Sequence, residues 1–334
     1  MFGARQGSVR PMVKIGYFLS SEEHGPMELV HQAQMAADAG IEAVWISDHF
    51  HPWLDEQGQS SFVWSVIGGI ATTTELMVTT AVTCPTIRTH PAIVAQAAAT
   101  SALMLNGRFE LGVGTGENLN EHVLGDRWPT TDERLDMLDE AVEVMRALWT
   151  GEEVNHRGRY YVVENARIYS NPESPPPVVV SGFGPKATKR ASQFGDGYAN
   201  TKPDKQLVDL YRDKGGRGEA SAGLKICWGP SVEDAKALAH RLWRSAGVPG
   251  ELTQELRTPV HFDQASQLVE VEKLAEKIPC GPDVAPIVAA AAEYIEAGFD
   301  RLYIGQIGPD QADFFRFFSA ELLPALRELG ASTH

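Results

Sequence analysis

A chain of 334 residues with 43% hydrophobic and 22% charged side chains has the composition of a globular protein with a large core, and no apolar run reaches the ~18 residues of a membrane span. A formal net charge of −15, from 44 acidic against 29 basic residues, excludes the clustered basic surface that nucleic acid demands, though not a local basic pocket for a small anion. Three widely spaced cysteines, Cys84, Cys227 and Cys280, form neither a disulfide framework nor a Cys-x-x-Cys zinc ribbon, and they point to a reducing cytoplasm.

Residues 1–11 carry Arg5 and Arg10 without an apolar segment of the signal-peptide kind and read as a flexible N-terminal extension; residues 12–330 read as one domain. Lys14–Leu19 is the first expected strand. Pro26 opens a helix in which Leu29, Ala33, Met35 and Ala36 keep helical spacing until Gly40. Then follow a strand at Ala43–Ile46, a helix over 62–73, a strand over 78–82, an Ala-rich helix at Pro91–Met104 stopped by Asn106-Gly107, and a strand at Phe109–Val113.

A long amphipathic helix over 132–149 sets Leu135, Leu138, Val142, Met145 and Leu148 on one face, and 156–169 reads as a surface hairpin. Beyond Pro175-Pro176-Pro177 come a strand over 178–180, a glycine turn and helix, short strands near 198–199 and 224–228, and a helix at Val232–Trp243. Residues 245–278 have weaker periodicity and form an excursion, after which a helix over 288–297, a strand over 301–304 and a helix over 312–329 finish the chain. Alternating strands and helices without a linker imply a parallel sheet, and eight such units in one chain make a single (β/α)8 TIM barrel with insertion segments.

Chemistry on such a fold gathers at the carboxyl ends of the strands. Ser47-Asp48-His49-Phe50-His51-Pro52-Trp53 leaves the second strand there with an acid, a base and an aromatic. Read alone, the stretch equally fits an N-capping Asp48, loop histidines and Trp53 as a core anchor. Gly112-Val113-Gly114-Thr115-Gly116-Glu117 follows the fourth strand and Ser181-Gly182-Phe183-Gly184-Pro185 the fifth. Their backbone amides can approach a ligand closely, or they are tight chain reversals; the G-x-G-x-G spacing is not that of a Rossmann fingerprint. His49 and Glu117 suit proton transfer coupled to another bond-making step. His49 and His51 lack a third ligand at metal spacing, and no nucleophile elbow surrounds Ser47, Thr115 or Thr201.

With these residues laid out, the chain resembles the bacterial luciferase-like superfamily, in its branch of F420-dependent glucose-6-phosphate dehydrogenases. The resemblance is carried by residues 47–53, by Pro-Thr-Ile-Arg-Thr-His-Pro-Ala-Ile-Val-Ala-Gln at 85–96, by Gly-Val-Gly-Thr-Gly-Glu-Asn-Leu-Asn-Glu at 112–121, by Gly-Asp-Gly-Tyr at 195–198 and by the stretch from Phe-Phe to Leu-Pro at 314–324. It implies a barrel that binds coenzyme F420 at the strand ends, usually as a homodimer, and moves a hydride between a substrate carbon and deazaflavin C5. By motif position, His49 would be the base on the substrate hydroxyl, Trp53 would pack over the reacting centre, and Glu117 would exchange a proton with the deazaflavin. Asp48, Cys84, Thr115, Gly116, Asn120, Ser181, Gly182, Phe183 and Gly184 would line the cofactor, and the family's non-proline cis peptide would fall at Ala81-Val82.

The family's sugar-phosphate site, a Thr and three basic residues, is matched poorly. Thr201 fits the Thr, Asp204 falls on the next position with Lys202 and Lys205 beside it, and Arg257 stands near the second basic position. The stretch 278–286 holds no Lys or Arg. Loss of charge-assisted contacts is costly for a phosphate dianion. The expectation is therefore an F420-dependent oxidoreductase of an alcohol/carbonyl pair, with Thr201, Lys205 and Arg257 as candidate substrate residues. The competing readings are a sugar-phosphate dehydrogenase, an FMN-dependent monooxygenase, and a non-catalytic deazaflavin or flavin carrier; a carrier has no need of an acid/base pair.

Overall fold

The structure, a computed structural model, describes residues 13–332; the extension expected at residues 1–11 lies outside them. Ten strands run β1 (Lys14–Leu19), β2 (Ala43–Ile46), β3 (Met77–Thr80), β4 (Phe109–Val113), β5 (Val154–Arg157), β6 (Val162–Ala166), β7 (Val178–Ser181), β8 (Gly197–Asn200), β9 (Ala220–Ile226) and β10 (Arg301–Gln306). All but β5 and β6 close a parallel barrel in the order β1-β10-β9-β8-β7-β4-β3-β2. In the register, Tyr17 stands opposite both Ile304 and Val44, so first and last strands seal the ring.

Strand alternation divides the core into two shells. Tyr17, Leu19, Val44, Ile46, Val178 and Val180 face the surrounding helices, while Phe18, Trp45, Val179, Ala199 and Tyr303 fill the barrel. Trp45 stacks on Tyr303 with centroids 4.8 Å apart and planes at 22°. Below them Arg301, the first residue of β10, bonds the Tyr303 hydroxyl (3.2 Å) and pairs with Glu219 (2.9 Å), and Thr79 donates to Glu110 (2.9 Å). This polar floor and aromatic plug close the amino end, so a ligand can enter only at the carboxyl ends.

The helices are α1 (Pro26–Asp38), α2 (Val63–Thr73), α3 (Pro91–Met104), α4 (Asn118–Glu121), α5 (Thr131–Leu148), α6 (Pro185–Phe194), α7 (Lys205–Asp213), α8 (Val232–Trp243), α9 (Leu252–Glu255), α10 (Pro259–Ser266), α11 (Val271–Ala275), α12 (Val284–Ala297), α13 (Gln311–Phe317) and α14 (Leu323–Ser332). Helix α5 begins with a capping box, Thr130 accepting from the Glu133 amide while Glu133 reaches back to the Thr130 amide (3.0 Å). Glu140, on its outer face, takes the amides of Arg159 (3.1 Å) and Tyr161 (2.8 Å) and so holds the turn of the β5–β6 hairpin.

Four elements differ from the sequence reading. Strand β9 starts at Ala220 rather than 224, because Ala-Ser-Ala-Gly holds no apolar run; on its barrel side, a Cβ on Gly223 would stand 2.9 Å from Trp45. Strand β3 stops at Thr80 rather than 82; the cis peptide expected at Ala81-Val82 is present, and pairing resumes only as an isolated bridge from Thr83 to Val113. Helix α7, not anticipated, is capped by Asp204, whose carboxylate accepts the Leu207 amide at 3.1 Å, and it buries Leu207, Val208 and Tyr211. The last helix is broken by a π-helical turn, Phe318–Leu322, where Pro324 has no N–H to return to the preceding turn.

Candidate active site

The centre of the carboxyl-end mouth is built by the loops after β1 and β2. Ser47, the first residue past β2, accepts the Ser21 amide (3.0 Å) and donates from its hydroxyl to Glu22 Oε2 (2.8 Å); Ser20 donates to the same oxygen (2.8 Å). The other carboxylate oxygen, Oε1, lies 3.6 Å from His49 Nδ1. Both side chains are nearly buried, 3% and 10% exposed, so the pair interacts with little solvent between. Burial by itself would raise the Glu22 carboxyl, but the opposing pull of His49, Lys225 and the Ser47 hydroxyl holds it below the usual carboxylate range.

Trp53 packs its ring 5.0 Å from that of His49 and meets Phe262 of α10 edge-on, also at 5.0 Å. Phe262 lies in an apolar cluster with Leu54 and Leu119, backed by Leu256. The excursion expected at 245–278 thus folds over the mouth as a roof. It is tied down where Asn118 donates to the Glu255 carbonyl (2.9 Å) and Arg134 to Gln254 (2.9 Å).

Asp48 leaves the strand toward the other side of its neighbour, as residues adjacent in a strand do. It accepts from Thr83 (2.7 Å) and from Arg88 (3.0 Å), and Arg88 also contacts Glu121 through its side chain (3.5 Å) and its amide (2.8 Å). Burial pushes Glu121 up to about 7 against the pull of Arg88. Cys84 is buried beside Glu121, its sulfur 2.9 Å from the Thr86 hydroxyl, and burial raises its thiol well above the ordinary value.

The glycines after β4 are required by close approach. A Cβ on Gly112 would stand 1.8 Å from the Thr80 carbonyl, and one on Gly116, at φ +76°, would stand 2.6 Å from Cys84 Sγ. Glu117 follows as the residue before α4, half-buried beside the buried Cys84–Glu121 pair. Within α4, Asn120 accepts the amides of Phe50 (2.9 Å) and His51 (3.1 Å), pinning the His49 loop to the Glu117 loop. Its Nδ2 is buried with no protein partner among the described residues.

The chain after β7 gives another face of the mouth. Gly182 receives the Tyr198 hydroxyl (2.7 Å) and Asn200 (3.0 Å) on its carbonyl, Phe183 is exposed, and Gly184 precedes α6 without a side-chain cap. Thr201 and Lys205 lie past β8; Thr201 is exposed, and Lys205 is bonded to Asp209 of its own helix (2.9 Å). Arg257 is exposed on the turn between α9 and α10. The structure therefore brings His49, Trp53, Asp48, Cys84, Gly116, Glu117 and Asn120 together around one mouth, while Thr201, Lys205 and Arg257 are exposed and Lys205 is paired to Asp209.

Five charged residues of the site were not singled out in the sequence, Glu22, Glu23, Lys225, and Arg88 and Glu121, which the motifs at 85–96 and 112–121 contain without a role. Ser-Ser-Glu-Glu-His after β1 reads as a solvated loop, and its one signal is position, at a strand end facing that of His49.

The model of the luciferase-like monooxygenase family matches residues 12–301. The chain belongs to that family. A relative in Amycolatopsis mediterranei (strain U-32), an F420-dependent glucose-6-phosphate dehydrogenase, is 34% identical over 335 residues, covering 96% of this luciferase-like chain and 100% of the relative. One of the same description in Kineococcus radiotolerans is 35% identical over 331 residues, covering 94% and 97%. Among solved structures, an F420-dependent secondary alcohol dehydrogenase in complex with an F420-acetone adduct aligns with TM-score 0.87 and 32% identity over 94% of this chain and 99% of its own. The F420-dependent tetrahydromethanopterin reductase of Methanopyrus kandleri, at 19% identity and TM-score 0.76, shares the fold.

Proposed function

We infer that this protein is an F420-dependent oxidoreductase acting on an alcohol/carbonyl pair. The observation that carries the reading is the Glu22–His49–Trp53 constellation at the strand ends, in a chain similar throughout to F420-dependent dehydrogenases. The residues present fit the coenzyme. Asn120 offers a buried, unpartnered amide nitrogen, and the uncapped start of α6 behind Gly184 offers backbone donors to an anionic group. Bound F420 supplies the hydride acceptor for alcohol oxidation, or the donor in reverse.

His49, with Nδ1 turned to Glu22, keeps its other ring nitrogen for the substrate hydroxyl and takes that proton as the carbon gives up its hydride. Glu22 is the counter-ion of the imidazolium so formed. Trp53, braced by Phe262, presents an apolar wall that excludes water from the reacting carbon. Glu117 would exchange a proton with the deazaflavin ring, and Ala81, Val82, Cys84, Thr115, Gly116, Ser181 to Gly184 and Asp48 would hold the coenzyme.

The substrate reading is an uncharged alcohol rather than a sugar phosphate. The nearly buried Arg88 at the mouth is balanced by Asp48 and Glu121; Lys205 is paired to Asp209, and Asp204 is engaged as a helix cap. A homodimer is supported by exposed apolar side chains on adjoining helices, Phe62 before α2 and Ile93, Leu103 and Met104 on α3. Three free cysteines support a reducing cytoplasm, and no helix among the described residues is long and apolar enough to cross a membrane.

Turnover of oxidised F420 with simple secondary alcohols, run beside glucose 6-phosphate, tests the reading. Alcohol-dependent loss of the oxidised chromophore is expected, with kcat reduced ~10²–10⁴-fold in His49→Ala and Glu117→Gln. Tight binding of FMN in place of F420 would overturn the cofactor, and preference for glucose 6-phosphate the substrate.

A further inference from the structure

Strand β9 turns Ala220, Ala222, Leu224 and Ile226 to the outer core, which directs Lys225 into the barrel. Its ammonium lies 4.0 Å from the ring centroid of Phe18 below and 4.0 Å from that of Trp243 at the end of α8. Trp243 in turn donates its indole N–H to Glu23 (2.6 Å), whose other oxygen accepts the Gly308 amide (2.8 Å). Lys225, Glu23 and Ser20 line one small cavity at the floor of the mouth.

The charged groups acting on Lys225 are Glu22 and Glu23, both from the loop after β1. Those acting on Glu22 are His49 from the β2 end and Lys225 from β9, with Glu23 and His24 as its chain neighbours. Adjacent carboxylates, Glu22 buried and Glu23 half-buried, ionise together only at a cost that a nearby cation offsets. Lys225 is the cation that lines this cavity with Glu23 and with Ser20, the hydroxyl partner of Glu22, and it is held on two ring faces that stabilise it without taking its charge.

We propose that Lys225 is a positioning residue for the reaction: seated between Phe18 and Trp243, its charge keeps Glu22 ionised, so that Glu22 can hold the imidazolium His49 becomes on taking the substrate proton. The proton passes from substrate oxygen to His49, the hydride leaves the same carbon for the coenzyme, and Lys225 itself neither gains nor loses one. Burial drives Glu23 up to about 7 while Glu22 stays low, the asymmetry expected when the available positive charge favours Glu22. The inference rests on His49 being the proton acceptor.

The test uses Lys225→Met, Lys225→Arg and the charge-balanced Glu23→Gln/Lys225→Met. In F420-free protein, the infrared band of a protonated carboxyl, assigned by its loss in Glu22→Gln, reports Glu22 directly. Lys225→Met is expected to move Glu22 protonation upward by about one pH unit or more, and to move the acid limb of kcat equally, about a tenfold loss at a fixed pH on that limb. Lys225→Arg is expected to restore both, and the double variant to keep the shift because Glu23 is already protonated where Glu22 titrates, with F420 affinity by fluorescence within about twofold throughout. If Lys225→Met fails to fold, the double variant is read against Glu23→Gln alone, and Glu22 protonation moved upward by about one pH unit or more supports the charge argument, while an unmoved titration overturns it. A folded Lys225→Met with the infrared titration unmoved overturns the role of Lys225 and leaves His49 standing. An infrared shift without a shift of the acid limb overturns His49 as acceptor, and the proposal with it.

Discussion

Glu121 shows what burial does to a single carboxyl in this site. It pairs with Arg88 and is nevertheless raised to about 7, because desolvation outweighs the ion pair. Its ordinary value is 4.5, so between about 4.5 and 7 the folded chain keeps a proton that the unfolded chain has lost. Stability contributed by this proton is full below that window and falls as pH rises through it. Glu121→Gln is expected to remove that slope, gaining on the order of 2 kcal/mol relative to the parent from pH 5 to pH 8, read as thermal unfolding across pH. A constant offset at every pH would mean that Glu121 is ionised throughout. At this scale the sequence was half legible. His49, Trp53 and Glu117 announce themselves by following strands with residue types that do chemistry. Glu22, Glu121 and Lys225 do not, since only the closed barrel turns a polar loop residue or an isolated lysine into a buried charge.

Among elements, α7 is the informative case. Its cap, Asp204, occupies a position where the family's phosphate site has a basic group, and a carboxylate there closes a helix rather than binding an anion. Asp204→Ala is expected to cost about 1 kcal/mol in chemical denaturation and to leave alcohol turnover unchanged. A loss of turnover without a loss of stability would return Asp204 to the substrate site. Helices and strands with clean apolar periodicity, such as Ala43–Ile46 and Pro91–Met104, were readable to the residue. Helix α7 was not, because Lys-Gln-Leu-Val-Asp-Leu-Tyr packs only three side chains inward over a short span. Strand β9 hid for the opposite reason: its inward positions must be small to clear Trp45, which erases the alternation that marks a strand.

For the whole molecule, the helical face carrying Ile93 and Met104 is where the proposed homodimer can be tested. Met104 reaches across to Gly68 of α2, so the two helices present one apolar surface. Sedimentation of Ile93→Glu/Met104→Glu is expected to give half the mass of the parent protein, with folding intact by circular dichroism; equal masses would place any dimer elsewhere. The barrel was legible as a count of units, since each strand–helix pair repeats one pattern, whereas the roof was not, since its short helices take their order from the mouth they cover.

The attachment of that roof carries a consequence of its own. One end is moored where Trp243 bonds Glu23, the other where Cys280 pairs with Cys227 across backbone bonds of 2.9 and 3.0 Å. Between these moorings the chain adds no strand to the barrel. It behaves as a cassette: the segment over Trp53 can be exchanged for one of different shape while the proton-handling groups beneath keep their places. Selection acting on that cassette could move such an enzyme among alcohols without reopening the question of how it folds.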